Sequence, residues 1–117
     1  MAWLSRDPEE LRKHDADPFC MFSFTVCAMR DLIRLQAIAN RREWFETIRK
    51  NLPILIVSGA QDPVGNYGKG VEAVYRALIT EGVTDVTRKL YPDMRHEILN
   101  EFDRETVYQD ILNFINL

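Results

Sequence analysis

Residues 53–59, with the sequence PILIVSG, constrain the fold more than any other part of the chain. The apolar residues are consecutive and mostly β-branched, without alternation between polar and apolar positions. That pattern is typical of a strand buried on both faces of a parallel sheet. Parallel strands are joined by crossover segments, usually helices, so these seven residues predict an α/β fold.

The residues that follow supply the elements that such a strand requires. A helix is predicted over about residues 69–81, because apolar residues recur on one face and Gly82 stands at the expected C-terminal cap. Residues 86–92 alternate between polar and apolar positions, which predicts a second strand nearer the sheet edge. A last helix is predicted from about Asp103. The order strand, helix, strand, helix is a right-handed parallel unit.

Residues 1–50 have the pattern of helices. Asp7 followed by Pro8 predicts the start of one helix. From about residue 25 to residue 40, apolar residues cover a broad helical face that needs cover on more than one side. We therefore divide the chain into a helical region, residues 1–50, and two β-α units, residues 51–117.

The predicted sheet has too few strands to bury the strand at residues 53–59 on both faces. Two strands do not make a stable sheet covered on both faces, and 117 residues form one modest domain. We therefore expect the C-terminal part of a larger fold. The unpaired edge of the first strand and the broad helical face lead us to expect a homo-oligomer, or association with the missing N-terminal part.

Composition and charge exclude several classes of protein. The chain is 46% hydrophobic and 28% charged, with a net charge of −3 and no basic cluster, which argues against a nucleic-acid partner. It has no signal-peptide core and no apolar stretch of spanning length, so we expect no stable membrane insertion. Cys20 and Cys27 do not form a CxxC motif, and we expect buried, reduced thiols in a cytoplasmic protein.

Two side chains with catalytic potential follow the two predicted strands. Asp62 lies in the loop after the first strand, and His96 lies in the loop after the second. Ligands and catalytic groups collect beyond the carboxyl ends of parallel strands, and neighbouring strands are about 4.8 Å apart. We therefore expect the carboxylate of Asp62 to accept the Nδ1 proton of His96, which leaves Nε2 free as a general base.

Together, VSGAQDPVG at residues 57–65 and LYPDMRHEILNE at residues 90–101 resemble the C-terminal part of α/β-hydrolase-fold serine hydrolases. The resemblance is strongest to the lysophospholipase and monoacylglycerol lipase group, which includes the S33-type serine aminopeptidase family. DADPFCMFSFTVCAMRDL at residues 15–32 looks like the end of the helical cap of that group. Residues 1–50 would then be a cap remnant with its connecting helix, and residues 51–117 the last two β-α units of the core.

The resemblance also implies an activity and the roles of two residues. In this family the triad runs Ser, Asp, His along the chain. Asp62 would be the acid and His96 the base of a hydrolase that cleaves carboxylic esters, of the lysophospholipid or monoacylglycerol class. The substrate would be a small ester or lipid, and the reaction would need neither a cofactor nor a metal.

The chain departs from the family because it lacks the nucleophile motif GxSxG. Ser5, Ser23 and Ser58 have no such flanking glycines, so we expect the chain alone to be inactive. The alternative is a non-catalytic remnant that acts as an interaction or dimerisation module.

Three further patterns concern other kinds of site. GNYGKG at residues 65–70 is not followed by Ser or Thr, so it does not match a phosphate-binding loop. A metal site could be built from Asp62, Asp93, His96 and Glu97. His96-Glu97 lacks a second histidine four residues later, which argues against that site. The cluster of Met21, Phe22, Phe24 and Met29 would either line an acyl pocket or pack in the core.

Overall fold

The computed structural model describes residues 1–116. Its elements are α1 (Pro8–Ala16), α2 (Val26–Ala39), α3 (Arg42–Glu46), β1 (Ile54–Gly59), α4 (Lys69–Thr80), β2 (Val86–Tyr91), a short 3₁₀ turn (Ile98–Asn100) and α5 (Arg104–Ile115). The helices and strands predicted above are present, and each bound that was predicted lies within two residues of the observed one. The 3₁₀ turn was not predicted, because three residues carry too little periodicity to identify it.

The two strands are parallel, as the pattern of residues 53–59 predicts. In their register, Ile54 is opposite Val86 and Gly59 is opposite Tyr91. Both strands therefore end at the same level, and the loops that follow them leave the sheet side by side. This register is the basis of the site described below.

Helices cover both faces of the sheet. On one face, Phe45 and Leu78 form a buried cluster with Val83, against which Ile54 and Ile56 pack. On the other face, the buried residues are Tyr91, Met94 and Val107, and they are contacted by partly buried apolar side chains of β1, α5 and the 3₁₀ turn, namely Val57, Ile98 and Ile111. The result is three layers of helix, sheet and helix, which is the α/β class that the sequence predicts.

The burial of β1 differs from expectation. Its first five residues are half-buried and Gly59 alone is buried, whereas the apolar run predicts burial of the whole strand. The physical reason is the width of the sheet. Within residues 1–116 the sheet has two strands, so the side chains along the free edge of β1 keep part of their surface exposed.

The N-terminal helices begin as their capping residues predict. Asp7 Oδ1 accepts the N–H of Glu9 at 2.8 Å, and the Thr25 hydroxyl accepts the N–H of Ala28 at 3.2 Å. No residue of α2 is buried, so its broad apolar face lies open. The expected burial of Cys20 and Cys27 was wrong, because both are exposed, although both are free thiols as expected. Among residues 1–116, no helix is both long enough and apolar enough to cross a lipid bilayer.

A polar contact ties β2 to α5 and leads to a prediction about alkaline pH. The Tyr91 hydroxyl donates to Asp110 Oδ2 at 2.7 Å, and Lys89 Nζ lies 2.5 Å from the same oxygen. Burial, followed by the bond to Asp110, raises the pKa of Tyr91 above its ordinary value. The hydrogen bond from Lys89, followed by that from Tyr91, lowers the pKa of Asp110.

We expect the Tyr91 contribution to stability to be lost in alkali. A raised folded-state pKa gives stability that is complete below the unfolded tyrosine pKa of about 10 and declines as the pH rises above it. The free energy of unfolding of wild type should therefore exceed that of Tyr91→Phe by about 1 kcal/mol at neutral pH, and the difference should shrink at about pH 11. Urea unfolding at both pH values measures this, and a difference that grows with pH would contradict it.

Candidate active site

Asp62 is fixed in a turn directly after β1. Its side chain is almost buried, and Oδ1 accepts the backbone N–H of Val64 at 2.8 Å. Its backbone N–H donates to the carbonyl of Gly59 at 3.3 Å, and its own carbonyl accepts the N–H of Tyr67 at 2.8 Å. These bonds hold the carboxylate in one orientation and leave Oδ2 for another partner.

The loop after Asp62 is strained. Asn66 and Tyr67 have φ values of +51° and +53°, and Gly68 has +83°. Left-handed geometry is easy for glycine and tolerable for asparagine, but it is uncommon for tyrosine, and such residues cost about 1–3 kcal/mol each. The glycines of GNYGKG predict a bent loop, whereas nothing in the sequence marks Tyr67 as strained. Backbone strain of this kind concentrates at functional sites.

His96 lies in the loop after β2 and meets Asp62, as the sequence predicts. His96 Nδ1 is 3.1 Å from Asp62 Oδ2. The imidazole is 38% exposed, while the Asp62 side chain is 8% exposed. When Asp62 is ionised and His96 is neutral, the carboxylate can only accept, so the proton of this hydrogen bond lies on Nδ1 and the lone pair on Nε2. A buried acid thus orients an accessible base.

Gly59 allows the two loops to approach. A Cβ atom at this position would lie 2.1 Å from the carbonyl oxygen of Arg95 and 2.3 Å from that of Met94. The N–H of Ala60 donates to the carbonyl of Tyr91 at 2.8 Å, and that of Gln61 donates to Met94 at 2.9 Å. The backbone beyond β1 is therefore hydrogen-bonded to the backbone that precedes His96. This close approach explains why an apolar strand ends in glycine before it presents an acid.

Ser5 and Ser58 have hydrogen-bond partners other than His96. Ser5 is fully buried, and its Oγ donates to the carbonyl of Asn100 at 2.8 Å and accepts the N–H of Asp7 at 3.0 Å. Ser58 Oγ lies 3.4 Å from the carbonyl of Gly59, and Ser23 is exposed. Within residues 1–116, no serine hydroxyl is hydrogen-bonded to His96.

The structure also describes the residues of the metal site and of the apolar cluster around Phe22. Across residues 1–116, no three His, Cys, Asp or Glu side chains converge so that they could hold a metal ion. The cluster around Phe22 does not pack in a core, because Phe22 is 64% exposed and Met29 is 43% exposed. A groove of about 560 Å³ runs along α2; its lining is Phe24, Val26, Met29, Arg30, Ile33 and Arg34.

Residues 2–6 lie against the His96 loop, which the sequence did not predict. The N–H of His96 donates to the carbonyl of Trp3 at 3.3 Å, and the N–H of Glu97 donates to Leu4 at 2.8 Å. The Trp3 and His96 rings are 5.1 Å apart, with 50° between their planes. Pairing between such distant segments leaves no local pattern in the sequence.

The chain is similar to a known protein family and to solved structures. The family model for serine aminopeptidase, S33, matches residues 1–103. A highly thermostable carboxyl esterase from Bacillus coagulans, solved in complex with glycerol, is 38% identical with a TM-score of 0.88, over 98% of this chain and 38% of the esterase. A lipase solved in an open form is 32% identical with a TM-score of 0.87, over 97% of this chain and 37% of the lipase.

The chain thus spans less than two thirds of the length of both structures. The family model covers most of the chain, and both structures reproduce its arrangement of strands and helices. The chain therefore belongs to the serine aminopeptidase S33 family and has part of an α/β-hydrolase fold.

Proposed function

We propose that this chain is the C-terminal part of a serine hydrolase that cleaves carboxylic esters, and that it supplies the acid and base of a Ser-Asp-His triad. The observation that carries the proposal is the 3.1 Å contact between His96 Nδ1 and Asp62 Oδ2 at the ends of adjacent parallel strands. The similar structures, a carboxyl esterase and a lipase, support ester cleavage as the reaction.

Each residue has a distinct role in the proposed reaction. His96 Nε2 takes the proton of the serine hydroxyl as the serine oxygen attacks the ester carbonyl, and it then gives that proton to the departing alcohol. Water, activated by the same nitrogen, cleaves the acyl-enzyme and releases the carboxylic acid. Asp62 keeps the proton on Nδ1 and stabilises the imidazolium that forms in each step. The nucleophile and the oxyanion donors would come from the segment that carries GxSxG.

We propose lysophospholipids or monoacylglycerols as the substrate class. The groove along α2 supports a substrate with one acyl chain, because its walls are largely apolar side chains. Arg30 and Arg34 line the same groove and both pair with Asp31, and their remaining N–H groups would donate to a polar or phosphorylated head group. Residues 1–50 would then act as the cap above the catalytic residues of 51–117.

We further propose that the chain associates with the N-terminal part of its hydrolase, or with a second copy of itself, in the cytoplasm. The half-buried strand β1 and the open apolar face of α2 support association. The two free thiols support a reducing compartment. The same apolar face would also serve a non-catalytic interaction module, which the following experiment distinguishes from an enzyme.

The test is a chimera in which this chain replaces the matching segment of the Bacillus coagulans esterase. We expect the chimera to hydrolyse a p-nitrophenyl ester and to react with a fluorophosphonate probe, because the esterase would supply the nucleophile. The chain alone should do neither, since it lacks the groups that form and stabilise an acyl-enzyme.

The two histidines of the chain provide the matched control. His96→Ala should abolish hydrolysis by the chimera, whereas His14→Ala should leave it unchanged. A folded but inactive chimera would favour the interaction module. Probe labelling of Ser5, Ser23 or Ser58 in the isolated chain, abolished by His96→Ala, would overturn the predicted inactivity.

A further inference from the structure

Glu101 is a fully buried carboxylate outside the Asp62–His96 pair. Its Oε1 accepts the backbone N–H of Arg95 at 2.8 Å, and its Oε2 accepts Arg6 Nε at 3.0 Å. The backbone N–H of Arg6 lies 3.2 Å from each of the two oxygens. A buried charge is tolerated only when it is paired and hydrogen-bonded, and the donors to Glu101 come from two separate segments of the chain.

The Arg95 side chain also joins these two segments, but here the His96 loop supplies the donor and the N-terminal segment supplies the acceptors. Its guanidinium donates to the carbonyl of Ser5 at 3.0 Å and also to that of Ala2. Glu101 and the Arg95 guanidinium together hold residues 2–6 on the His96 loop, and we call this arrangement the Glu101 clamp. It lies next to His96, because Arg95 is both the residue before the histidine and a member of the clamp.

The clamp determines what lies beside the imidazole. Residues 2–6 accept the N–H groups of His96 and Glu97, and they place the Trp3 ring 5.1 Å from the imidazole ring. The imidazole is therefore held by Asp62 through Nδ1 and is flanked by an aromatic ring. Trp3 is itself 41% exposed, so surrounding side chains do little to keep it in place without the clamp.

We propose that Glu101 is a positioning residue for His96. Through the N–H of Arg95 and through Arg6, it fixes the backbone on which His96 is mounted and holds Trp3 against the imidazole, which keeps Nδ1 directed at Asp62. The catalytic value of this orientation rests on the proposed function, but the orientation is measurable without activity. A carboxylate that served folding alone would affect stability and leave the tautomer of His96 unchanged.

The test compares Glu101→Gln with Asp103→Asn in the full chain. Asp103 is the matched control, because its Oδ2 accepts Arg6 Nη2 at 3.1 Å but its side chain is 67% exposed. The readouts are the ¹⁵N shifts of the His96 ring at about pH 8.5, where an ordinary histidine is neutral, and the nuclear Overhauser contact between the Trp3 and His96 rings. Thermal unfolding of each variant reports stability separately.

In wild type we expect the Nδ1–H tautomer to exceed the Nε2–H tautomer by about tenfold, as a hydrogen bond to a charged acceptor predicts. Glu101→Gln should reduce that ratio at least about threefold and weaken the Trp3–His96 contact, since the neutral amide binds the Arg6 and Arg95 donors less strongly. Asp103→Asn should change neither readout.

The outcomes separate this proposal from the proposed function. A wild-type chain without the Nδ1–H preference would contradict the Asp62–His96 pairing itself. A wild-type preference that survives unchanged in folded Glu101→Gln would overturn the positioning role alone. If Glu101→Gln does not fold, Arg95→Met tests the same clamp, because it removes the guanidinium bonds and leaves the carboxylate its other donors. An unchanged ring contact and tautomer in that variant would also overturn the proposal.

Discussion

Replacing Asp62 with Asn in the active chimera is expected to lower kcat for a p-nitrophenyl ester about 10⁴-fold. The amide can still accept the N–H of Val64 through Oδ1, so the turn after β1 should be retained. Its NH₂ group, however, would then face His96 and donate to Nδ1, which places the ring proton on Nε2. A protonated Nε2 cannot accept the serine proton, and KM should change little because substrate binding is not involved.

The control for this variant is Asp93→Asn. Asp93 lies in the same loop as His96 but is exposed, and its replacement should leave kcat near that of the parent chimera. Steady-state kinetics together with thermal unfolding distinguish a chemical effect from misfolding. A loss of less than about tenfold in a folded Asp62→Asn chimera would be incompatible with the triad role.

The second large effect is expected at Gly59, where alanine should destabilise the chain by about 3 kcal/mol. The added methyl group would lie 2.1 Å and 2.3 Å from two backbone carbonyl oxygens, those of Arg95 and Met94. Neither oxygen belongs to a flexible side chain, so the loop before His96 must move as a whole. We therefore expect Gly59→Ala also to lengthen the Asp62–His96 contact, seen as a loss of the Nδ1–H tautomer.

Gly82 offers a comparison for the Gly59 variant. Its φ is +85° and a Cβ atom at this position would have no neighbour within 4 Å, so Gly82→Ala introduces backbone strain without a clash. Such strain costs about 1–2 kcal/mol. Urea unfolding of both variants measures the two effects, and an equal or smaller loss of stability for Gly59→Ala would show that the loop adapts to the methyl group.

The sequence predicts the helices and strands of the fold because each of them has a local pattern of residues that identifies it. The apolar run of β1 and the alternation of β2 identify a parallel pair, and the cap at Asp7 identifies the start of a helix. The meeting of Asp62 and His96 follows from the same reasoning, since parallel strands bring the loops at their carboxyl ends together. Their assignment as catalytic acid and base stays a prediction that the chimera tests.

Other features depend on tertiary contacts that have no local pattern. From the sequence, Glu101 is expected to be an exposed acid near the start of a helix, yet it is fully buried. Its burial depends on Arg6, which is separated from it by 95 positions. Cys20 and Cys27 are predicted to be buried because their neighbours in the sequence are apolar, but both are exposed. Burial requires an opposing surface as well as an apolar sequence.

The attachment of residues 2–6 to the His96 loop also has a consequence for the order of folding. Ser5 is hydrogen-bonded to Asn100, and Arg6 to Glu101, across a sequence separation of 95 in each case. Closing a chain segment of that length costs more entropy than closing a short one, and contacts of high sequence separation slow folding. We therefore expect the helices and the β1–β2 pair to form before this closure, so that the surroundings of His96 are completed late in folding.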